Sequence, residues 1–213
     1  MSKKNNITPK EEHTNKVYQA LRFLDPLEQK RLVKYLNSPF FNQSRTLTKL
    51  GELLLNHIEK GKDGFDRKAV WQKVFPGEAY DDVNFRKYCS DLLKQVEGFM
   101  AQEAIAQDDA RISIDILDFV ARRKIEPLFN GSLKQARSEA DKSPYRSLDY
   151  YKRAYTIERH YYTMMDFDVK VNVRANIEEI SSNLDVFYWI EKLKLYSSAL
   201  SQKRTGNFTY ELN

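Results

Sequence analysis

The sequence predicts an all-α fold: an N-terminal helical module followed by a stack of helix pairs packed in the manner of tetratricopeptide repeats. Apolar residues recur every three or four positions through almost the whole chain, the period of a helix and not the alternation of a strand. Gly and Pro are scarce, 7 and 6 in 213 residues, and Pro39, Gly61, Gly64, Pro76 and Gly77 stand where apolar runs stop. The later runs pair up at about the 34–45-residue period of helical repeats, although no repeat consensus recurs. The length fits one or two domains, divided here as a disordered leader over 1–15, a helical module over 16–105 and a helical stack over 106–213.

The elements follow in order. A short helix carries Val17, Leu21 and Leu24 on one face. Asp25-Pro26 opens the next: Asp accepts orphan amide bonds, and Pro has no amide to satisfy at the first helical position. That helix presents Leu27, Leu32, Tyr35 and Leu36, and it ends before Ser38-Pro39 because the residue preceding a proline is pushed out of helical geometry. Phe40-Phe41-Asn42 reads as a link plugged into the core. A third helix spans 46–60 on Leu47, Leu50, Leu54 and Ile58, with Gly61 just past its end. Asp66 caps a helix holding Ala69, Val70, Val74 and Phe75, which Pro76-Gly77 breaks. Asp81 or Asp82 caps a long helix with Phe85, Cys89, Leu92, Val96 and Phe99 on its stripe.

In the second half, helices are predicted at 111–123 (Ile112, Ile116, Val120), 127–141 (Leu128, Leu133, Ala136, Ala140), 146–166, 170–182 and 185–204. Helix 146–166 carries two apolar stripes, Leu148-Tyr151-Tyr155-Tyr162-Met165 and Tyr150-Ala154-Ile157-Tyr161-Met164. Only a narrow polar face of Lys152, Arg153, Thr156, Arg159 and Thr163 remains, so the helix should pack on two sides. Helix 185–204 reads the same way, with Val186, Ile190 and Leu193 beside Trp189, Tyr196 and Leu200. Gly206-Asn207 closes it, and Phe208-Thr209-Tyr210-Glu211-Leu212 reads as the start of another element of a longer, uncapped stack.

Composition narrows the function. Net charge is +5. Residues 1–105 hold 18 Lys and Arg against 14 Asp and Glu, and residues 106–213 hold 17 against 16, a mild basic excess without the concentrated patch of a dedicated nucleic-acid binder. Cys89 is the lone cysteine, so no internal disulfide forms, which fits a reducing compartment. The first 16 residues lack the apolar core of a signal peptide, and no apolar run approaches the ~20 residues of a membrane span. A cytoplasmic location follows, with no membrane partner.

No constellation for catalysis or for a cofactor stands out, so the chain reads as a non-enzyme. His13, His57 and His160 are at no metal-ligand spacing, and His57 reads as a cation near a helix C-terminus. Cys89 shares the stripe of Phe85, Leu92 and Val96, the place of a small core hydrophobe. Asp81-Asp82 and Asp108-Asp109 lie at helix starts, where carboxylates cap amides; adjacent helical residues diverge and cannot converge as an acid–base pair. Gly61-Lys62 lacks the remaining residues of a phosphate loop.

Residues 65–99 form the most specific pattern. Phe65-Asp66-Arg67-Lys68-Ala69-Val70-Trp71, Phe75-Pro76-Gly77-Glu78 and Asp81-Asp82-Val83-Asn84-Phe85-Arg86-Lys87 make two helices joined by a Pro-Gly turn. This order resembles the winged-helix domain of response-regulator transcription factors, a resemblance that implies Arg67, Asn84, Arg86, Lys87, Ser90 and Lys94 facing DNA, with Lys68 beside them. The chain departs from that family after the helix, where Met100-Ala101-Gln102-Glu103-Ala104 stays helical in place of a β-hairpin wing. A wider resemblance rests on Tyr35-Leu36-Asn37-Ser38-Pro39-Phe40-Phe41-Asn42, Phe75-Pro76-Gly77-Glu78-Ala79-Tyr80-Asp81-Asp82, Leu184-Asp185-Val186-Phe187-Tyr188 and Lys192-Leu193-Lys194-Leu195-Tyr196. These are similar to an uncharacterised group of all-helical proteins of Bacteroidota. The resemblance implies a longer helical protein with tetratricopeptide-like packing and supplies no activity.

Two binding functions follow. The first is a protein-interaction scaffold that holds a peptide or partner helix in an inter-helix groove, through Tyr150, Arg153, Arg159, Tyr161, Tyr188 and Lys192: aromatics give contact area at low entropic cost, and cations fix orientation. The second is a nucleic-acid-binding regulator using Arg67, Lys68, Arg86, Lys87 and Lys94.

Overall fold

The structure is a computed structural model that describes residues 15–166, 174–206 and 208–211. The expected leader over 1–15, His13, the start of the expected helix 170–182, Asn207 and Leu212 lie largely or wholly outside these residues. Among the described residues the fold is all-α, with nine helices and no strand. Two compact units divide between Ala104 and Ile105.

The first unit holds α1 (Lys16–Phe23), α2 (Pro26–Asn37), α3 (Arg45–Glu59), α4 (Arg67–Val74) and nearly all of α5 (Asp82–Ala106). Local chemistry sets their ends. Asp25 accepts from the amides of Leu27 and Glu28 at 2.7 and 2.8 Å, and Glu28 accepts from the Asp25 amide at 2.8 Å, closing a capping box. Gly61 and Gly77 turn the chain at φ +67° and +85°, which L side chains rarely adopt. Val17, Leu21, Leu32, Leu36, Leu50, Leu54, Val70, Leu92 and Val96 form the dry centre of one core, as the stripes predicted. Cys89 is buried within it, and burial pushes its thiol up, with Asn15 as its hydrogen-bond partner at 3.5 Å.

Two expectations for this unit are corrected. Leu27 is 61% exposed, because the N-terminal turn of α2 lies outside the core. Phe40 is no plug and is exposed. The link is held instead by buried Asn42, whose amide donates to the Leu36 carbonyl, the Ser44 carbonyl and Thr48 Oγ1 at 2.8, 3.1 and 3.0 Å. Phe41 lies flat on Tyr35, 4.5 Å between centroids.

The second unit holds α6 (Asp109–Arg122), α7 (Glu126–Asp141), α8 (Leu148–Met165) and α9 (Ile177–Gly206). Its core joins Leu117, Val120 and Ala121 of α6, Phe129, Leu133, Ala136 and Ala140 of α7, and Ile157 and Met164 of α8. The expected stripes on α6 and α7 hold at Val120, Leu133, Ala136 and Ala140 and fail at one position each: Leu117 and Phe129 are buried, while Ile116 and Leu128 are exposed. Each pair is adjacent in an apolar run, so spacing alone cannot choose between them. Helix α8 packs against α6, α7 and α9, consistent with its two stripes. The expected break at 183–184 does not occur; Asn183 and Leu184 are interior residues of the 30-residue α9.

Candidate functional site

Helix α9 is the element whose chemistry the fold leaves unused. Thirty residues at 1.5 Å each span about 45 Å, against about 27 Å for the 18-residue α8 it lies on. Only Ile180 is buried; Val186, Phe187 and Ile190 are half-buried, and from Leu193 onward every residue except half-buried Ala199 is exposed. Helix 185–204 is therefore not packed on two sides as expected. Its apolar residues surround it, and among the described residues one neighbouring helix covers one side. The outer face presents Trp189 at 60% exposure, Leu193 at 63% and Leu200 at 57%, flanked by Tyr188, Leu195 and Tyr196. The rings of Tyr188 and Trp189 meet edge to face at 5.4 Å. Lys192 Nζ lies 5.8 and 5.9 Å from the ring centroids of Tyr188 and Tyr196.

The six residues expected to line one groove do not come together. Tyr188 and Lys192 stand on this outer face. Tyr161 is turned into the second unit, parallel to Phe129 at 6.4 Å, with the Arg137 guanidinium 5.5 Å from its ring. Tyr150 is half-buried: its hydroxyl donates to Asp141 at 3.3 Å, Arg146 lies 3.9 Å over its ring, and burial beside Asp141 pushes its phenol up. Arg153 is spent on Asp108 at 2.7 Å, the residue that also caps α6. Arg159 is exposed, 5.5 Å from the Tyr162 ring. The physical cause is partly angular: Tyr150 and Tyr161 share one stripe of α8 three turns apart, Arg153 lies nearby and is drawn to Asp108, and Arg159 points away from them into solvent.

Three of the five cations expected to meet nucleic acid, Arg67, Arg86 and Lys94, have acidic partners. Asp82 receives Arg67 at 3.5 Å, Arg86 at 2.6 Å and the Tyr80 hydroxyl at 2.7 Å. The Tyr80 bond, with the two guanidiniums, holds the Asp82 carboxyl low, and burial with the Asp82 charge pushes the Tyr80 phenol up to about 12. Lys94 lies 3.4 Å from Asp91, and Asn84 is tied to Asp81 at 2.7 Å. Lys68, Lys87 and Ser90 are exposed.

Sequence reasoning missed two features. One is an open groove of about 610 Å³ in the first unit, lined by Pro26, Lys30, Val33, Glu52, Leu55 and Ile58 among others. Its apolar lining combines buried Leu55 with half-buried Val33 and Ile58, of which periodicity placed only Ile58 and counted it as core. The other is the outward face of Trp189, Leu193 and Leu200, which spacing had assigned to packing. Among the described residues, no three His, Cys, Asp or Glu side chains are grouped to hold a metal ion, and no helix is long and apolar enough to cross a membrane.

No family model matches the chain, and neither a curated protein nor a solved structure matches it.

Proposed function

We propose that the chain is a non-enzymatic scaffold that binds a partner through the outer face of α9. One observation carries this reading: a 30-residue helix with a single buried residue and a line of large apolar side chains open to solvent. Contiguous apolar surface of this kind marks interaction sites, and Trp and Tyr beside a cation are the residue types that dominate binding energy. The pairwise contacts of α6 with α7 and α8, and of α8 with α7 and α9, suit a tetratricopeptide-like stack. A single buried thiol suits the reducing cytoplasm. Of the groove residues expected from sequence, Tyr188 and Lys192 belong to this surface, joined by Trp189, Leu193 and Leu200. The nucleic-acid reading is left with Lys68 and Lys87, since Arg67 and Arg86 are matched to Asp82 and Lys94 to Asp91.

The test is affinity capture from native lysate with and without nuclease, the wild type beside Trp189→Ala. A defined protein partner should survive nuclease and weaken by about 30-fold or more in the variant, the scale of a central aromatic anchor. Recovery that collapses with nuclease, or that ignores Trp189→Ala, overturns the proposal.

A further inference from the structure

We infer that the outer face of α9 pairs with the same face of a second copy of this chain, the two helices running antiparallel. This rests on the scaffold reading and names what covers the surface. Trp189, Leu193, Tyr196 and Leu200 are separated by four, three and four residues. That is the spacing of the a and d positions of a coiled-coil seam, which keeps side chains turned toward one partner helix over successive turns. All four are exposed. A helix that merely lay on its own domain would turn such a seam inward.

Charge selects the occupant. The first turn of α9 carries Glu178 and Glu179, and Asp185 follows two turns on; the last turn carries Lys203 and Arg204. Glu178 already has Arg174 at 2.6 Å, and Glu179 lines a cavity with Arg137 and Tyr150, which leaves Asp185 to face a partner. A parallel copy would set acid on acid and base on base. An antiparallel copy sets Asp185 of each helix beside the basic last turn of the other and opposes the two helix dipoles. The a and d layers fix a register: Trp189 packs on Leu200 of the second copy and Leu193 on Tyr196 of the second copy, with the two-fold axis between Lys194 and Leu195. Asp185 then lies within one residue of the level of Lys203 of the second copy and on the same flank of the seam, the two positions being five whole turns apart along the helix. The same patch serves both sides, as a closed two-fold dimer requires.

Sedimentation equilibrium of the full chain across a wide range of concentration tests this, with far-ultraviolet circular dichroism confirming that each variant keeps its helices. The wild type should reach twice the 25.1 kDa of one chain. Leu193→Glu, at a solvent-facing position, should weaken dimerisation by at least about tenfold, a charge being buried in the seam. Asp185→Arg alone should weaken it, and Asp185→Arg with Lys203→Asp should bring it back toward the wild type. A wild-type monomer at every concentration overturns the inference. So does a dimer indifferent to Leu193→Glu, or a double variant no better than Asp185→Arg alone. If the chain is monomeric yet still captures a nuclease-resistant protein through Trp189, the second copy fails while the scaffold stands; if it does neither, both fail.

Discussion

Glu158 is one of the few polar residues buried in the described structure. Its carboxylate receives two parallel bonds from Arg137 at 2.9 and 2.8 Å and one from the Asn176 amide at 2.8 Å. Those bonds tie α7, α8 and the approach to α9 together at one side chain. Removing the guanidinium leaves a buried charge half satisfied, whereas removing both charges leaves an apolar gap that packs. Arg137→Met should lower the unfolding free energy by about 2 kcal/mol, below the usual range for a buried pair because Arg137 is itself partly exposed; Arg137→Met with Glu158→Met should recover most of it. Urea unfolding of the three proteins decides it, and equal losses in the single and double variants would count against the argument. His160 gives a pH dependence. Burial lowers its pKa more than Asp118, at 3.6 Å, raises it, since Asp118 is already engaged by Arg122. The unfolded imidazole titrates near 6.5. As pH falls below that value the unfolded chain binds the proton first, so stability is lost until the folded imidazole also protonates. His160→Gln should flatten the fall of the urea midpoint between about pH 7 and pH 5; an unchanged slope would show that His160 does not contribute.

At the scale of elements, most ends are local chemistry and most faces are not. The α2 start needs only Asp25, Pro26 and Glu28, all within one turn. Asp25→Ala should cost about 1 kcal/mol by leaving two amides without an acceptor, read as a lower urea midpoint with the core of the first unit unchanged. Asp66 and Asp108 cap α4 and α6 on the same principle, accepting from Lys68 and Arg111 amides at 2.9 and 3.0 Å. The end of α8 is closed from a distance. Lys124, itself at φ +54°, donates to the Thr163 carbonyl at 2.9 Å and to Asp166 at 2.5 Å. No spacing rule announces that contact, because its partners are 39 and 42 residues away.

At the scale of the whole molecule, the two compact units divide the labour. The first buries its stripes into a core and matches several of its cations internally. The second builds its core from α6, α7 and α8 and leaves α9 with one covered side. On the dimer inference, Asp185 and the basic last turn of α9 supply the charges that a second copy would match. Dimer mass and the charge-reversal pair test that directly, and the lysate capture tests whether α9 serves any partner at all.

The sequence by itself determined that the chain is helical, where most helices begin, and which residues are dry in the first unit. These depend on interactions within a turn or on a period of 3.6 residues, both of which are written locally. It also contained every residue of the α9 face, but assigned them to packing. Hydrophobic spacing reports that a side chain gains from leaving water; it does not report whether a neighbour is present to receive it. Only the tertiary structure decided that Leu117 and Phe129 turn inward in place of Ile116 and Leu128, that Tyr161 and Arg153 are consumed by α7 and α6, and that Trp189, Leu193 and Leu200 remain open. Each of these depends on the angle at which one helix meets another, and that angle is set by contacts between residues far apart in the chain.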